Sequence, residues 1–117
     1  MNLSEYQKLC KKTAKSDFES PDLEILTWGL GIVGEAGDAA SCIKKVVAHK
    51  NEALKDGLRE NLGDTMWYIA TICNFYGWNL EEVLNENIEK LKKRYGDEGF
   101  TNEKAQRKGT KEDWGEK

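Results

Sequence analysis

Apolar residues recur every three to four positions along four segments of this chain, and no segment of useful length alternates like a half-buried strand. That periodicity dictates helices, and a single proline, Pro21, leaves them free to run long. The first segment, about residues 2–15, places Leu3, Tyr6, Leu9, Cys10 and Thr13 on one side. It breaks over residues 16–21, where Ser20 is suited to cap a second helix and Pro21 to open it. The second, about 21–48, carries Leu23, Leu26, Leu30, Val33, Ile43, Val46 and Val47. A polar turn over 51–57 leads to a third, about 57–76, with Leu58, Leu62, Met66, Ile69, Ile72, Cys73 and Tyr76. Gly77 stands where helices favour a left-handed residue. Asn79, with Glu82 placed as in a capping box, opens a fourth helix carrying Val83, Leu84, Ile88, Leu91 and Tyr95.

Residues 101–117 offer only Ala105 and Trp114 as notable apolar groups and read as a solvated tail. The expectation is an all-α protein: a four-helix-bundle-like subunit over residues 1–100 and a polar C-terminal tail over 101–117. A chain of 117 residues buries only about two-thirds of its unfolded surface. With interior space given to polar groups, the bundle is expected to be completed by oligomerisation. The formal charge of -3 lacks the basic surplus of a nucleic-acid binder. No stretch of roughly 18 apolar residues could span a membrane, and the first residues lack the apolar core of a secretory leader. Cys10, Cys42 and Cys73 form neither a CxxC pair nor a Cys/His cluster, which suits buried, reduced thiols in the cytoplasm.

The second helix breaks its own rules. Gly29, Gly31, Gly34 and Gly37 each cost about 1 kcal/mol against alanine inside a helix. Gly31, Gly34, Gly37 and Ala40 form a nearly bare ridge, which close helix packing explains. Packing does not explain why Glu35 and Asp38, three apart and facing the same way, interrupt it. The third helix repeats the device with Glu60, Asn61 and Asp64, beside Gly63. Acids so placed are expected to be partly buried between helices. Two charges 4 Å apart repel by about 4 kcal/mol at an effective dielectric near 20, so a cation or raised pKa values must relieve them. Either pair alone would read as ordinary surface acids; two pairs, each beside a helical glycine, favour a metal site. Oxygen donors without His or Cys select a hard ion, best Mg²⁺, with Mn²⁺ as a substitute.

The run Gly34-Glu35-Ala36-Gly37-Asp38, followed by Glu60-Asn61-Leu62-Gly63-Asp64-Thr65-Met66-Trp67-Tyr68, resembles the MazG-like nucleotide pyrophosphohydrolases. Asn87-Ile88-Glu89-Lys90-Leu91, Lys93-Arg94-Tyr95 and Gly99-Phe100 extend the likeness to about residues 3–107. The resemblance implies an all-α, Mg²⁺-dependent homodimer or homotetramer. Its members cleave nucleoside triphosphates between the α and β phosphates, giving a monophosphate and pyrophosphate, in a house-cleaning or nucleotide-pool role.

Carried onto this chain, the likeness makes Glu35 and Asp38 the first acid pair and Asp64 the last acid of the second, while Gly34 stands where longer-motif members have a further Glu. Asn61 stands where a Glu is expected; its amide oxygen can ligate an ion but brings no charge and cannot act as a base. Glu60, about 40° from Asp64 on a helical wheel, can supply the missing carboxylate. Metal ligands are therefore expected among Glu35, Asp38, Asn61 and Asp64, and catalytic acids among Glu35, Asp38, Glu60 and Asp64. Lys44 and Lys45 suit phosphate or the solvated end of a helix. Lys90 and Arg94 suit phosphate or i, i+4 pairing, with Glu86 before Lys90. Arg107 is a weaker phosphate candidate, and Asn87 suits a base or sugar edge. Trp67 can stack on a base or pack in the core. Trp28 and Trp78 read as packing residues, and His49 as an exposed helix end. The Asn61 departure favours an alternative, a catalytically weak nucleotide-sensing or helical interaction protein.

Overall fold

The computed structural model describes residues 1–106; Arg107 and Trp114 lie outside them. Helices α1 (Leu3–Thr13), α2 (Pro21–Ala48), α3 (Lys55–Tyr76), α4 (Leu80–Tyr95) and the short α5 (Asn102–Ala105) make up the fold, with no strand among the described residues. The chain is all-α.

Local chemistry sets the helix ends. Asn2 opens α1 with a reciprocal box: the Glu5 amide donates to its side chain at 2.9 Å, and its own amide donates to the Glu5 carboxylate at 3.2 Å. Ser20 caps α2 as its sequence suggests, accepting from the Leu23 amide at 3.2 Å, with Pro21 at the first helical position. The exposed His49 closes α2, and Lys50 follows with a φ of 52°, a left-handed conformation. The turn expected over 51–57 is shorter, because Glu52–Leu54 wind into a 3₁₀ turn and α3 starts at Lys55. Gly77, at φ 72°, terminates α3 as expected, and the Trp78 amide reaches back to the Cys73 carbonyl at 2.9 Å. Within the expected tail, Thr101 caps α5 by accepting from the Lys104 amide at 3.1 Å.

The chain divides into two units, Met1–Leu80 and the residues from Glu81 onward. In the first, α2 and α3 form the main helix pair. The pair is antiparallel: Trp28 meets Trp67 and Tyr68 near one end, and Cys42 meets Asn61 near the other. Helix α1 packs on α3, also antiparallel, with Asn74 donating to the Gln7 carbonyl at 3.0 Å and Trp67 to the Thr13 hydroxyl at 2.8 Å. In the second unit the Lys104 ammonium donates to the Tyr95 carbonyl at 2.7 Å and pairs with Glu98 at 3.5 Å, beside a Tyr95–Phe100 ring contact.

The buried apolar set is small: Cys10, Trp28, Ala39, Ala70, Cys73 and Leu80. All three cysteines are free, and Cys42 is half-buried where the sequence predicts full burial, because its neighbour Gly57 brings no side chain to cover it. Along α2, Leu23, Leu26, Leu30 and Val33 repeat at three and four residues, and all are exposed. The ridge of small residues is only partly a packing device: a Cβ on Gly31 would overlap the Tyr68 ring, whereas one on Gly29, Gly34 or Gly37 would meet nothing. No described helix is long and apolar enough to cross a membrane.

Candidate functional site

Two contacts bracket a short stretch of the α2–α3 seam. At one end the Asn61 amide nitrogen donates to the Cys42 sulfur at 3.5 Å; at the other, Tyr68 lies against Gly31. Trp28, Gly31, Glu35, Asp38 and Cys42 follow one another at three and four residues, so Glu35 and Asp38 lie on the face of α2 that meets α3. On α3, Asp64 falls between Asn61 and Tyr68 by the same spacing, with Glu60 one turn before it. The pairs seen in the sequence therefore come together across the seam.

Their charges register on Glu35. Its carboxyl holds a proton more tightly than an ordinary glutamate, first because it is partly desolvated, then because Asp64, Asp38 and Glu60 repel its anion. Glu35 and Asn61 are half-buried, as expected. Asp38, Glu60 and Asp64 are exposed instead, because the helix surface around them is open: a Cβ on the neighbouring Gly34, Gly37 or Gly63 would meet nothing. Among the described residues, no three His, Cys, Asp or Glu side chains stand at metal-holding separations. The donor set nonetheless fits a hard divalent ion, being carboxylate and amide oxygens on two adjacent helices. Asn61 turns its nitrogen toward Cys42, which leaves its Oδ1 free to accept or ligate.

The remaining predicted residues fall elsewhere. Lys44 and Lys45 are exposed on the last two turns of α2. Trp67 is half-buried, its N–H used by Thr13 and its ring edge-on to Trp28 at 5.5 Å and to Tyr68 at 5.0 Å. Trp28 is core, as predicted, and meets Phe18 at 5.3 Å. Trp78 is 54% exposed and stacks on Tyr76, against the packing role its sequence suggested, since the left-handed Gly77 carries it off the end of α3. Asn87, Lys90 and Arg94 line one face of α4 in the second unit, with the Arg94 guanidinium 5.9 Å from the Tyr95 ring centre.

Three residues escape the sequence reading. Tyr68 fills the space that Gly31 vacates, so the bare glycine was itself the signal. Tyr6 donates to the Cys10 thiol, and its pKa is pushed up to about 12 by burial, by that bond and by the charges of Cys10 and Asp64. Gln7 is buried with both ends of its amide paired, to the Trp78 carbonyl at 2.7 Å and from the Leu80 amide at 2.8 Å. A lone glutamine among Leu3, Tyr6 and Cys10 on the inner face of α1 was the available clue.

The described residues define an all-helical protein in which acids on two antiparallel helices, α2 and α3, bear on the Glu35 carboxyl. More narrowly, this chain belongs to the MazG nucleotide pyrophosphohydrolase domain family, whose profile matches residues 24–97. A curated relative, the Gene 37 protein of Mycobacterium phage L5, is 38% identical over 69 residues, covering 56% of this chain. The chain spans 60% of that relative's length. No solved structure gives a significant match.

Proposed function

We propose that this protein is a Mg²⁺-dependent hydrolase that cleaves ribo- or deoxyribonucleoside triphosphates between the α and β phosphates, releasing a monophosphate and pyrophosphate. The observation that carries the reading is the Glu35 carboxyl, whose proton affinity is raised first by partial desolvation and then by acids from both helices, within a matching MazG domain. Glu35, Asp38, Asp64 and the Asn61 Oδ1 would hold the ion, with Glu60 in reserve for the carboxylate that Asn61 lacks. When bound, Mg²⁺ supplies charge neutralisation to the phosphates and acidity to a coordinated water. A non-ligating carboxylate oxygen among Glu35, Asp38, Glu60 and Asp64 would take the proton of the attacking water. Lys90 and Arg94 suit the leaving pyrophosphate, Lys45 the incoming phosphates, Trp67 and Asn87 the base or sugar. The open backbone at Gly34, Gly37 and Gly63 would let phosphate oxygens come close.

The exposed run Leu23, Leu26, Leu30 and Val33 supports assembly through α2, a second copy completing the bundle as a homodimer or homotetramer. Three free thiols suit the cytoplasm. Residues 1–100 would form the catalytic domain, with 101–117 as its tail. Pyrophosphate release over a panel of nucleotides with Mg²⁺ tests the reaction. Turnover that disappears with chelator and in Glu35→Gln supports it. Tight Mg²⁺-dependent nucleotide binding without pyrophosphate would favour a nucleotide sensor instead, the reading that the uncharged Asn61 supports.

A further inference from the structure

We propose that a second ligand site lies beyond the acids along α3: the cavity beneath the corner that follows α3, walled by Lys8 and Lys11 of α1 and by Trp78, takes a nucleoside monophosphate. The cavity has a volume of about 280 Å³. That is near the lower end of ligand pockets, roughly 300–1,000 Å³, and suits one ring with one phosphate better than a triphosphate. Asn74, in its wall, lies ten residues beyond Asp64, which is about 15 Å along the helix axis. The two sites are separate.

Each wall contributes something a nucleotide needs. Lys8 and Lys11 are one turn apart on α1, line the cavity together and have no carboxylate partner among the described residues. No acid lines it. Their ammonium groups therefore present uncompensated positive charge to whatever enters, and phosphate answers it. Trp78 is 54% exposed with one face stacked on Tyr76 at 4.6 Å, leaving the other face for a base.

The wall is also held in place. Gln7 ties the corner backbone at both ends of its amide, to the Trp78 carbonyl and from the Leu80 amide, while Asn74 holds the Gln7 carbonyl. A pocket fixed by buried hydrogen bonds loses little entropy on binding. Ser4 adds a hydroxyl at the rim.

The test is titration calorimetry of the full chain in chelator, with adenosine monophosphate, adenosine and inorganic phosphate as separate probes. The monophosphate should bind saturably without metal and more tightly than either fragment. Lys8→Ala/Lys11→Ala should weaken it about tenfold or more. Trp78→Ala should weaken it about fivefold or more. These residues are exposed, so the fold, checked by circular dichroism, should be unchanged. Glu35→Gln should bind it as the wild type does, which separates this site from the acids whatever the fate of the proposed reaction. Absence of saturable binding, or affinity unchanged in the double lysine variant, overturns the proposal. So does phosphate binding as tightly as the nucleotide, or binding lost in Glu35→Gln and kept in the lysine variant.

Discussion

Glu35 carries an energetic conflict that can be measured directly. Its folded pKa is raised above its unfolded value by partial desolvation and by Asp64, Asp38 and Glu60. For such a group the stabilising contribution is fully present below the ordinary carboxylate pKa and is lost as pH rises through the raised value. At neutral pH, without metal, the ionised Glu35 thus works against the fold. Glu35→Gln should raise the melting temperature in chelator at neutral pH, and the difference should vanish in acid. Pyrophosphate release should fall by about 10² or more, as for a carboxylate that holds the ion or takes the proton. A variant that melts with the wild type at neutral pH and keeps full turnover removes Glu35 from the site. The four acids were legible in the sequence because carboxylates three and four apart share a helix face. The exposure of Asp38, Glu60 and Asp64 was not, because it depends on how closely neighbouring elements pack over that stretch, and spacing is silent on that. The paired amide of Gln7 was hidden for a similar reason: its partners are backbone groups 71 and 73 residues away.

At the scale of elements, helix ends were the most readable feature, since Ser20, Pro21 and Gly77 act on their immediate neighbours. Contacts between helices were harder, and the glycines of α2 show why. Gly31 and Gly34 look alike in sequence, yet only Gly31 is pressed by a neighbour, the Tyr68 ring. Gly31→Ala should therefore cost about 1–3 kcal/mol through overpacking. Gly34→Ala meets open space and should stabilise α2 by up to about 1 kcal/mol through helix propensity. Urea unfolding of both variants checks the contrast, and equal effects would refute the assigned packing. Where α2 ends, Lys50 holds a left-handed φ of 52°, a conformation that costs a side-chain-bearing residue roughly 1 kcal/mol or more. Lys50→Gly should recover most of that, seen as a higher unfolding midpoint with unchanged slope.

The whole molecule poses a question of covered surface. A core of six small and large apolar residues leaves Leu26 at 60%, Leu30 at 71% and Val33 at 70% exposure along one stripe of α2. Fully burying such a side chain is worth about 1.5–3 kcal/mol, so leaving the stripe in water forgoes several kcal/mol, comparable to the stability of a whole small domain. The spacing of three and four residues is that of a seam between two helices wound together, and a second copy of α2 offers the same seam in return. Chain length and polar interior groups already implied a partner; the face it would cover was not readable, because α2 is apolar on more than one side and only packing against α3 reveals which side is left over. Leu30→Glu/Val33→Glu places two charges on the seam and should convert an oligomer to monomer in sedimentation velocity, while circular dichroism remains helical. If assembly completes the core, the same variant should also melt lower, and its melting should lose any dependence on protein concentration that the wild type shows. A wild-type chain that sediments as a monomer at all concentrations would leave the stripe without a function in assembly and would require the isolated subunit to tolerate it.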